Sequence, residues 1–375
     1  MRDLLDHADL ARYAGQFVWL ELNYDDAKNL AFFTKYGPNA TPTFFVIDPQ
    51  GQVVATQTGA MSSQELTQFL DRGAGGLPAD QRPAANTALA QGDALLALRP
   101  ADAAKAYREA LRLAPADWPR RDLAEASLVV ALQDSRQWRQ CAETAATEAP
   151  SMKREPAFGR IVVAGMWCVT SAQDAPGLDS AARRLEALAK EALSLSSTVR
   201  DHRDELYRTL MYLSVNRGDE GKATEWGNRW LAELDAVSPA SDEERSAVDI
   251  ARVENVQIVG DPAHILPALI ASERAMPHNY NASLRVAQME SAVKHFDEAI
   301  AACNRGLARA PGANGRSWLL QTKAHALLQR GQPAEARRAL QEALQAAQAI
   351  PEKAAREMNL TMISNSLKQT EGAKQ

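Results

Sequence analysis

The sequence predicts a mainly α protein with a short α/β unit at its N-terminus, and three observations carry that prediction. Residues 1 to about 73 alternate helix-like and strand-like patterns. From about Asn86 onward, amphipathic helical segments of roughly 12 to 20 residues follow one another between proline and glycine breaks. The composition is alanine-rich with only 6% aromatic residues, which favours helix. With 375 residues, 46% hydrophobic and 24% charged, the chain is long enough for two or three cores of about 150 residues or for a repeat array.

In chain order, Leu4 to Tyr13 reads as the end of an amphipathic helix and Phe17-Val18-Trp19-Leu20-Glu21-Leu22 as a buried strand. Asp25 to Tyr36 is helical and Gly37 stops it. Thr43 to Ile47 and Gln52 to Gln57 are strands joined by the turn Asp48-Pro49-Gln50-Gly51, a hairpin. Ser62 or Ser63 caps a helix running to Leu70, with Glu65 near its third position. Gly73-Ala74-Gly75-Gly76-Leu77-Pro78 reads as a linker.

The helices beyond it carry a recurring spacing: an alanine, a large residue four later, a small residue three after that, then a proline. Positions i, i+4 and i+7 share one helix face, and small residues there let two helices approach closely. Ala103, Tyr107, Ala110 and Pro115 fit. So do Ala299, Cys303, Gly306 and Pro311 after Ala287, and Ala336, Leu340 and Ala343 after Ala324 with a late Pro351. Weaker copies lie at Trp138-Cys141-Ala145 and Gly218-Ala223-Gly227-Trp230. Over roughly residues 86–350 this resembles the tetratricopeptide repeat (TPR), and implies about six or seven helix pairs stacked as a solenoid with a concave peptide-binding surface. On that resemblance the groove presents Leu284, Gln288, Trp318, Gln321 and His325. The lysines, asparagines and arginines of a carboxylate clamp are not at these places.

The N-terminal residues Lys35-Tyr36-Gly37, Ala40-Thr41-Pro42-Thr43, Phe44-Phe45-Val46-Ile47, Gln52-Val53-Val54-Ala55 and Gly59-Ala60 resemble the second half of a thioredoxin. The resemblance implies a cis-proline at Pro42 and a peptide cleft at Thr41, Pro42 and Gly59, in which the backbone of Thr41 pairs with an extended peptide. The family's redox chemistry needs a Cys-X-X-Cys at a helix N-terminus, where the thiol pKa is lowered. This sequence has none, and the resemblance places that motif just upstream of Met1, together with the first two strands. Two readings stay open: a start upstream of Met1 with a complete domain, or a partial domain with an unpaired sheet edge and no redox site.

The expected fold class is therefore a partial thioredoxin-like α/β unit over 1–73, a linker over 74–85, a TPR-like α-solenoid of helix hairpins over 86–350, and a C-terminal helix with a polar tail, fraying after Ser366, over 351–375. The net charge of −5 and pI near 5.8 argue against nucleic acid as the main partner. The longest apolar run, Ile161 to Val169, is too short to span a bilayer. Cys141, Cys168 and Cys303 are odd in number and widely spaced, which argues against a disulfide framework and for packing roles. The six histidines form no metal motif, so no metal or cofactor is expected, and no catalytic residue is identified. The sequence bears no signal peptide, which reads as cytoplasmic, or as periplasmic if an upstream start supplies one. Oligomeric state is not indicated. Function then reads as a non-catalytic scaffold that binds a protein or peptide partner. The alternative is a truncated thiol–disulfide oxidoreductase whose repeats recruit substrate.

Overall fold

The computed structural model describes residues 8–23, 26–37, 42–59, 61–73, 84–152, 157–172, 177–309 and 311–372. The chain divides into two compact units, residues 1–21 with 32–226 and residues 22–31 with 227–375. Of the linker expected over residues 74–85, residues 74–83 lie outside the described residues, and Ala84 and Ala85 already belong to the next helix.

The N-terminal part forms where local sequence and a small core agree. A 3-10 helix at Ala8–Tyr13 stands where the end of the first helix is expected, and residues 1–7 lie outside the described residues. Helix α1 is Leu30–Tyr36. Strands β1 (Thr43–Ile47) and β2 (Val53–Thr58) form the expected antiparallel hairpin, with Thr43 opposite Thr58 and Val46 opposite Ala55. Its turn closes when Asp48 Oδ1 accepts from the backbone N–H groups of Gln50 and Gln52. Helix α2 (Ser63–Gly73) starts on the expected capping box: Ser62 Oγ accepts from Glu65 N at 3.2 Å, and Glu65 Oε2 accepts from Ser62 N at 2.8 Å. Leu66, Phe69 and Leu70 of α2 then meet Leu10, Tyr13, Val46 and Ala55 in one core.

The buried strand expected over residues 17–22 is not formed. The segment has no regular structure; Val18 is 88% exposed and Leu20 75%. A strand needs a hydrogen-bonding neighbour, and among the described residues the sheet holds only β1 and β2, paired with each other. Only Phe17 of this run packs against the core.

The rest is helical. In the first unit, α3 (Ala84–Leu96), α4 (Pro100–Leu113), α5 (Arg121–Asp134), α6 (Trp138–Glu148), α7 (Phe158–Ser171), α8 (Asp179–Ser194) and α9 (Arg200–Asn216) follow in order. Helix α10 (Glu220–Asp235) comes next. The second unit holds α11 (Asp242–Ile258), α12 (Pro262–Ala275), α13 (Tyr280–Ala292), α14 (Phe296–Ala308), α15 (Ala313–Gln329), α16 (Pro333–Gln348) and α17 (Lys353–Gly372). Neighbours pack as hairpins, and alternate helices also touch: α5 with α7 and α7 with α9, then α11 with α13, α13 with α15 and α15 with α17. That two-step contact pattern is a helical repeat array. The spaced positions of the sequence supply its seams, since Ala103, Tyr107, Ala110, Ala299, Cys303, Ala336, Leu340 and Ala343 are all buried. Gly92 shows why a small residue is needed: a Cβ there would meet the Tyr107 ring at 2.5 Å.

Two expectations are corrected here. The C-terminal tail continues as helix to Gly372 instead of fraying after Ser366, because Leu367 packs against the cluster around Leu340 and Ile363. Cys141 and Cys168 form a disulfide, with both residues fully buried and their Cα atoms 6.0 Å apart. They lie on α6 and α7, and the packing of these two helices closes a separation of 27 residues that sequence spacing does not relate. Cys303 is free and buried, as its packing role requires, and burial pushes its thiol up to about 12. Unreduced, unfolded chain is expected to show one reactive thiol and reduced chain three; Cys168→Ala should cost about 2–4 kcal/mol by urea unfolding.

A buried polar seam joins α2 to the helices that cover it. Glu65 faces Arg160 of α7, with Arg160 Nη2 3.5 Å from Glu65 Oε1. Arg72, at the far end of α2, faces Asp93 of α3, and Tyr107 of α4 donates to Asp93 Oδ1 at 2.8 Å. His202 of α9 packs over Gly159, where a Cβ would stand 2.8 Å from its Nδ1. Helix α3 also lies against β2. An isolated 1–75 fragment leaves this face open and should unfold without a cooperative transition in urea; a sigmoidal transition would contradict the dependence.

Burial pushes the His202 imidazole below its ordinary 6.5; the Glu65 carboxylate opposes that shift and Arg160 adds to it. The folded chain therefore holds His202 neutral. This contribution is complete above pH 6.5 and is lost as pH falls below 6.5 toward the folded value, because the unfolded chain takes up the proton first. Urea midpoints measured on either side of pH 6.5 should show the loss, and His202→Gln should reduce it.

Candidate peptide-binding site

Two surfaces hold the residues that the sequence leads one to expect at a peptide site. The first lies at the mouth of the β-hairpin. Pro42 directly precedes β1, and its carbonyl accepts from Gly59 N at 2.9 Å just beyond β2. Gly59 has φ +85° with open space around its Cβ position, so glycine serves a backbone bend here rather than a close contact. Pro42 and Gly59 are thus brought together as one end of the sheet. Thr41 lies outside the described residues. On the other side of the hairpin, β1 has no strand partner among the described residues.

The second surface belongs to the second unit. Helices α13 and α15 are the first members of consecutive hairpins and pack side by side. The capping of α13 is local, with Asn279 Oδ1 accepting from Asn281 N. Leu284 and Gln288, one turn apart on α13, are half-buried. On α15, Trp318 is half-buried and His325 exposed two turns later. Gln321 is differently engaged: its Nε2 donates to Asn359 Oδ1 of α17 at 3.0 Å and to Ser317 Oγ at 3.2 Å. Ser317 and Asn359 are fully buried, so this is an internal network tying α15 to α17.

Trp167 of α7, which stands at none of the spaced positions, is half-buried and has a wider setting. Its indole Nε1 donates to Glu205 at 2.8 Å, Glu205 pairs with Arg208 at 3.0 Å, and its ring lies 6.0 Å from that of Tyr212. Tyr212 and Val215 are exposed on α9. Helix α7 is the first member of its hairpin with α8 and packs beside α9 in the first unit, as α13 packs beside α15 in the second. That shared position, applied to Trp167 as it was to Trp318, is the signal that would have found this patch.

Residues 1–74 match the family model for a thioredoxin-like domain. The N-terminal fifth of the chain is a thioredoxin-like domain. The match covers the hairpin, Pro42, Gly59 and α2, and within it there is no cysteine. A search among curated proteins finds no match to the chain. The thioredoxin-like domain is thus followed by a helical repeat region. Among the described residues no three His, Cys, Asp or Glu side chains are grouped to hold a metal ion, and no helix is long and apolar enough to cross a membrane.

The contrast between the two glutamines is testable. Gln321→Ala removes a donor from a buried network and should cost about 1–2 kcal/mol of stability. Gln288→Ala, on the partly open face, should stay within about 0.5 kcal/mol. Thermal unfolding of the two variants distinguishes them.

Proposed function

We propose that this protein is a non-catalytic interaction protein whose helical repeats, read as TPR-like, hold an extended segment of a partner protein. The thioredoxin-like domain contributes a second peptide contact around Thr41, Pro42 and Gly59. The observation that carries this reading is the side-by-side packing of α13 and α15, which sets Leu284 and Gln288 beside a helix bearing Trp318 and His325. A half-buried tryptophan and leucine on a surface of stacked helices suit the apolar anchors of a peptide, with Gln288 and His325 available for its backbone.

A display library of random peptides selected on the full chain tests the reading. Leu284→Ala and Trp318→Ala should weaken the selected peptides about tenfold each while leaving the thermal midpoint near that of the parent. Selected peptides that bind the variants equally well would move the site elsewhere. The chain should not turn over a disulfide substrate.

The second reading is a thiol–disulfide oxidoreductase whose Cys-X-X-Cys is supplied by sequence upstream of Met1. It is favoured by one specific feature: β1 has no second strand partner among the described residues, and that edge, together with the exposed, strand-prone Val18-Trp19-Leu20, is where a further strand would find backbone partners. The Cys141–Cys168 disulfide supports an oxidising compartment for either reading, and with it export from the cytoplasm. The intact mass of the native protein decides between them. A value near 40.8 kDa favours the scaffold, and a larger mass that falls by about 2 Da on oxidation of two further thiols favours the enzyme.

A further inference from the structure

On helices α11 to α17 the large apolar side chains left exposed follow a pattern. Among the described residues they are Ile250, Met358 and Met362, at 46%, 49% and 40% exposure. Ile250 stands on α11 and the two methionines on α17; none stands on α12, α14 or α16, the second helices of the hairpins. Helices α11, α13, α15 and α17 adjoin in that order, and the two in the middle carry the half-buried Leu284 and Trp318. Leu284 follows Ile250 by 34 positions, and Trp318 follows Leu284 by 34.

Polar contacts orient the two outer helices. Ser246, one turn before Ile250, accepts from Arg285 of α13 at 3.0 Å, so this side of α11 faces α13. Asn359 of α17 is buried against Ser317 and Gln321 of α15. Met362 lies one turn beyond Asn359 and borders the face that α17 turns to α15, with Met358 one turn before Met362. An apolar side chain on each of four adjoining helices thus makes a stripe: Ile250, Leu284, Trp318 and Met362, flanked by Met358.

The interval of the stripe selects what can lie along it. Packed helix axes stand about 8–10 Å apart, so the stripe offers one apolar contact at about that interval. A polyproline II chain has three residues per turn and rises about 3.1 Å per residue, so it returns a side chain to one face at intervals of about 9.3 Å. A β-strand does so every second residue, at about 6.7 Å, and misses the interval. The polyproline II backbone makes no internal hydrogen bonds, and the side chains of Gln288 and His325 on α13 and α15 carry donors for its carbonyls.

We propose that this stripe binds a partner segment in the polyproline II conformation that bears an apolar residue at every third position. This occupant refines the reading of the helical repeats as a peptide-binding surface and depends on it. A segment of about ten residues reaches across the four helices. Proline at intervening positions holds it in the bound form beforehand, so less entropy is lost on binding.

Fluorescence anisotropy of labelled peptides titrated with the full chain tests this. Two ten-residue peptides share a composition of four leucines, four prolines and two serines. One has leucine at every third position, and the other has its leucines at alternate positions. The first should bind about tenfold more tightly than the second, and Ile250→Ala and Met362→Ala should each weaken it about three- to fivefold. Both variants replace exposed side chains and should keep the parent's thermal midpoint. Equal affinity for the two peptides, or binding of the first that both variants leave unchanged, would overturn the polyproline II occupant. Library peptides of another spacing that still require Leu284 and Trp318 would then leave the broader reading standing, whereas the lack of any such peptide would remove both.

Discussion

Glu65 is where the two parts of the first unit meet. One oxygen of its carboxylate closes the capping box that starts α2, and the other faces Arg160 of the helical region. A local device that any helix can use therefore also aims α2 at its neighbours. Seven residues and about two turns later, Arg72 leaves the same helix toward Asp93. Between these polar ends, Leu66, Phe69 and Leu70 fill the core under the hairpin. Among its described residues the thioredoxin-like domain has a two-stranded sheet, too little to bury both faces by itself. Helix α3 against β2 and the charged seam around α2 supply the missing cover.

The helical region obeys a simpler rule. Small residues at a fixed spacing allow close helix contacts, and each hairpin covers the next. Tyr107 lies flat against Gly92 while its hydroxyl satisfies Asp93, so one residue carries both the packing and the polarity of that contact. The Cys141–Cys168 disulfide sits inside this packing, on two helices already held together by apolar contacts. It restricts the unfolded chain more than it shapes the folded one.

The reading of peptide binding rests on the same architecture. First helices of consecutive hairpins adjoin, so residues far apart in sequence share a surface. Trp318 on α15 and Trp167 on α7 both lie on the first helix of a hairpin, yet only the former stands out from repeat spacing. Gln321 shows a different case: the resemblance sets it in the groove, and its side chain also bridges to Asn359. Periodicity assigns a side of a helix, and a long amide can reach around that side to a neighbour the pattern does not include.

Local patterns in the sequence determined the hairpin from Thr43 to Thr58, the Ser62–Glu65 cap, the succession of helices and the buried alanine positions. Each is set by interactions within a few residues or by a repeating spacing that survives any tertiary arrangement. Three features were decided only in three dimensions. The run Phe17 to Leu22 has every mark of a strand and, among the described residues, lacks a neighbour to pair with. Cys141 and Cys168 have a spacing that says nothing and meet because α6 and α7 pack. Arg72, Asp93, Arg160 and His202 lie on four separate helices, and form a buried seam only once those helices pack together. A strand, a disulfide and a buried ion pair all need a partner from elsewhere in the chain, and no single segment of sequence names that partner.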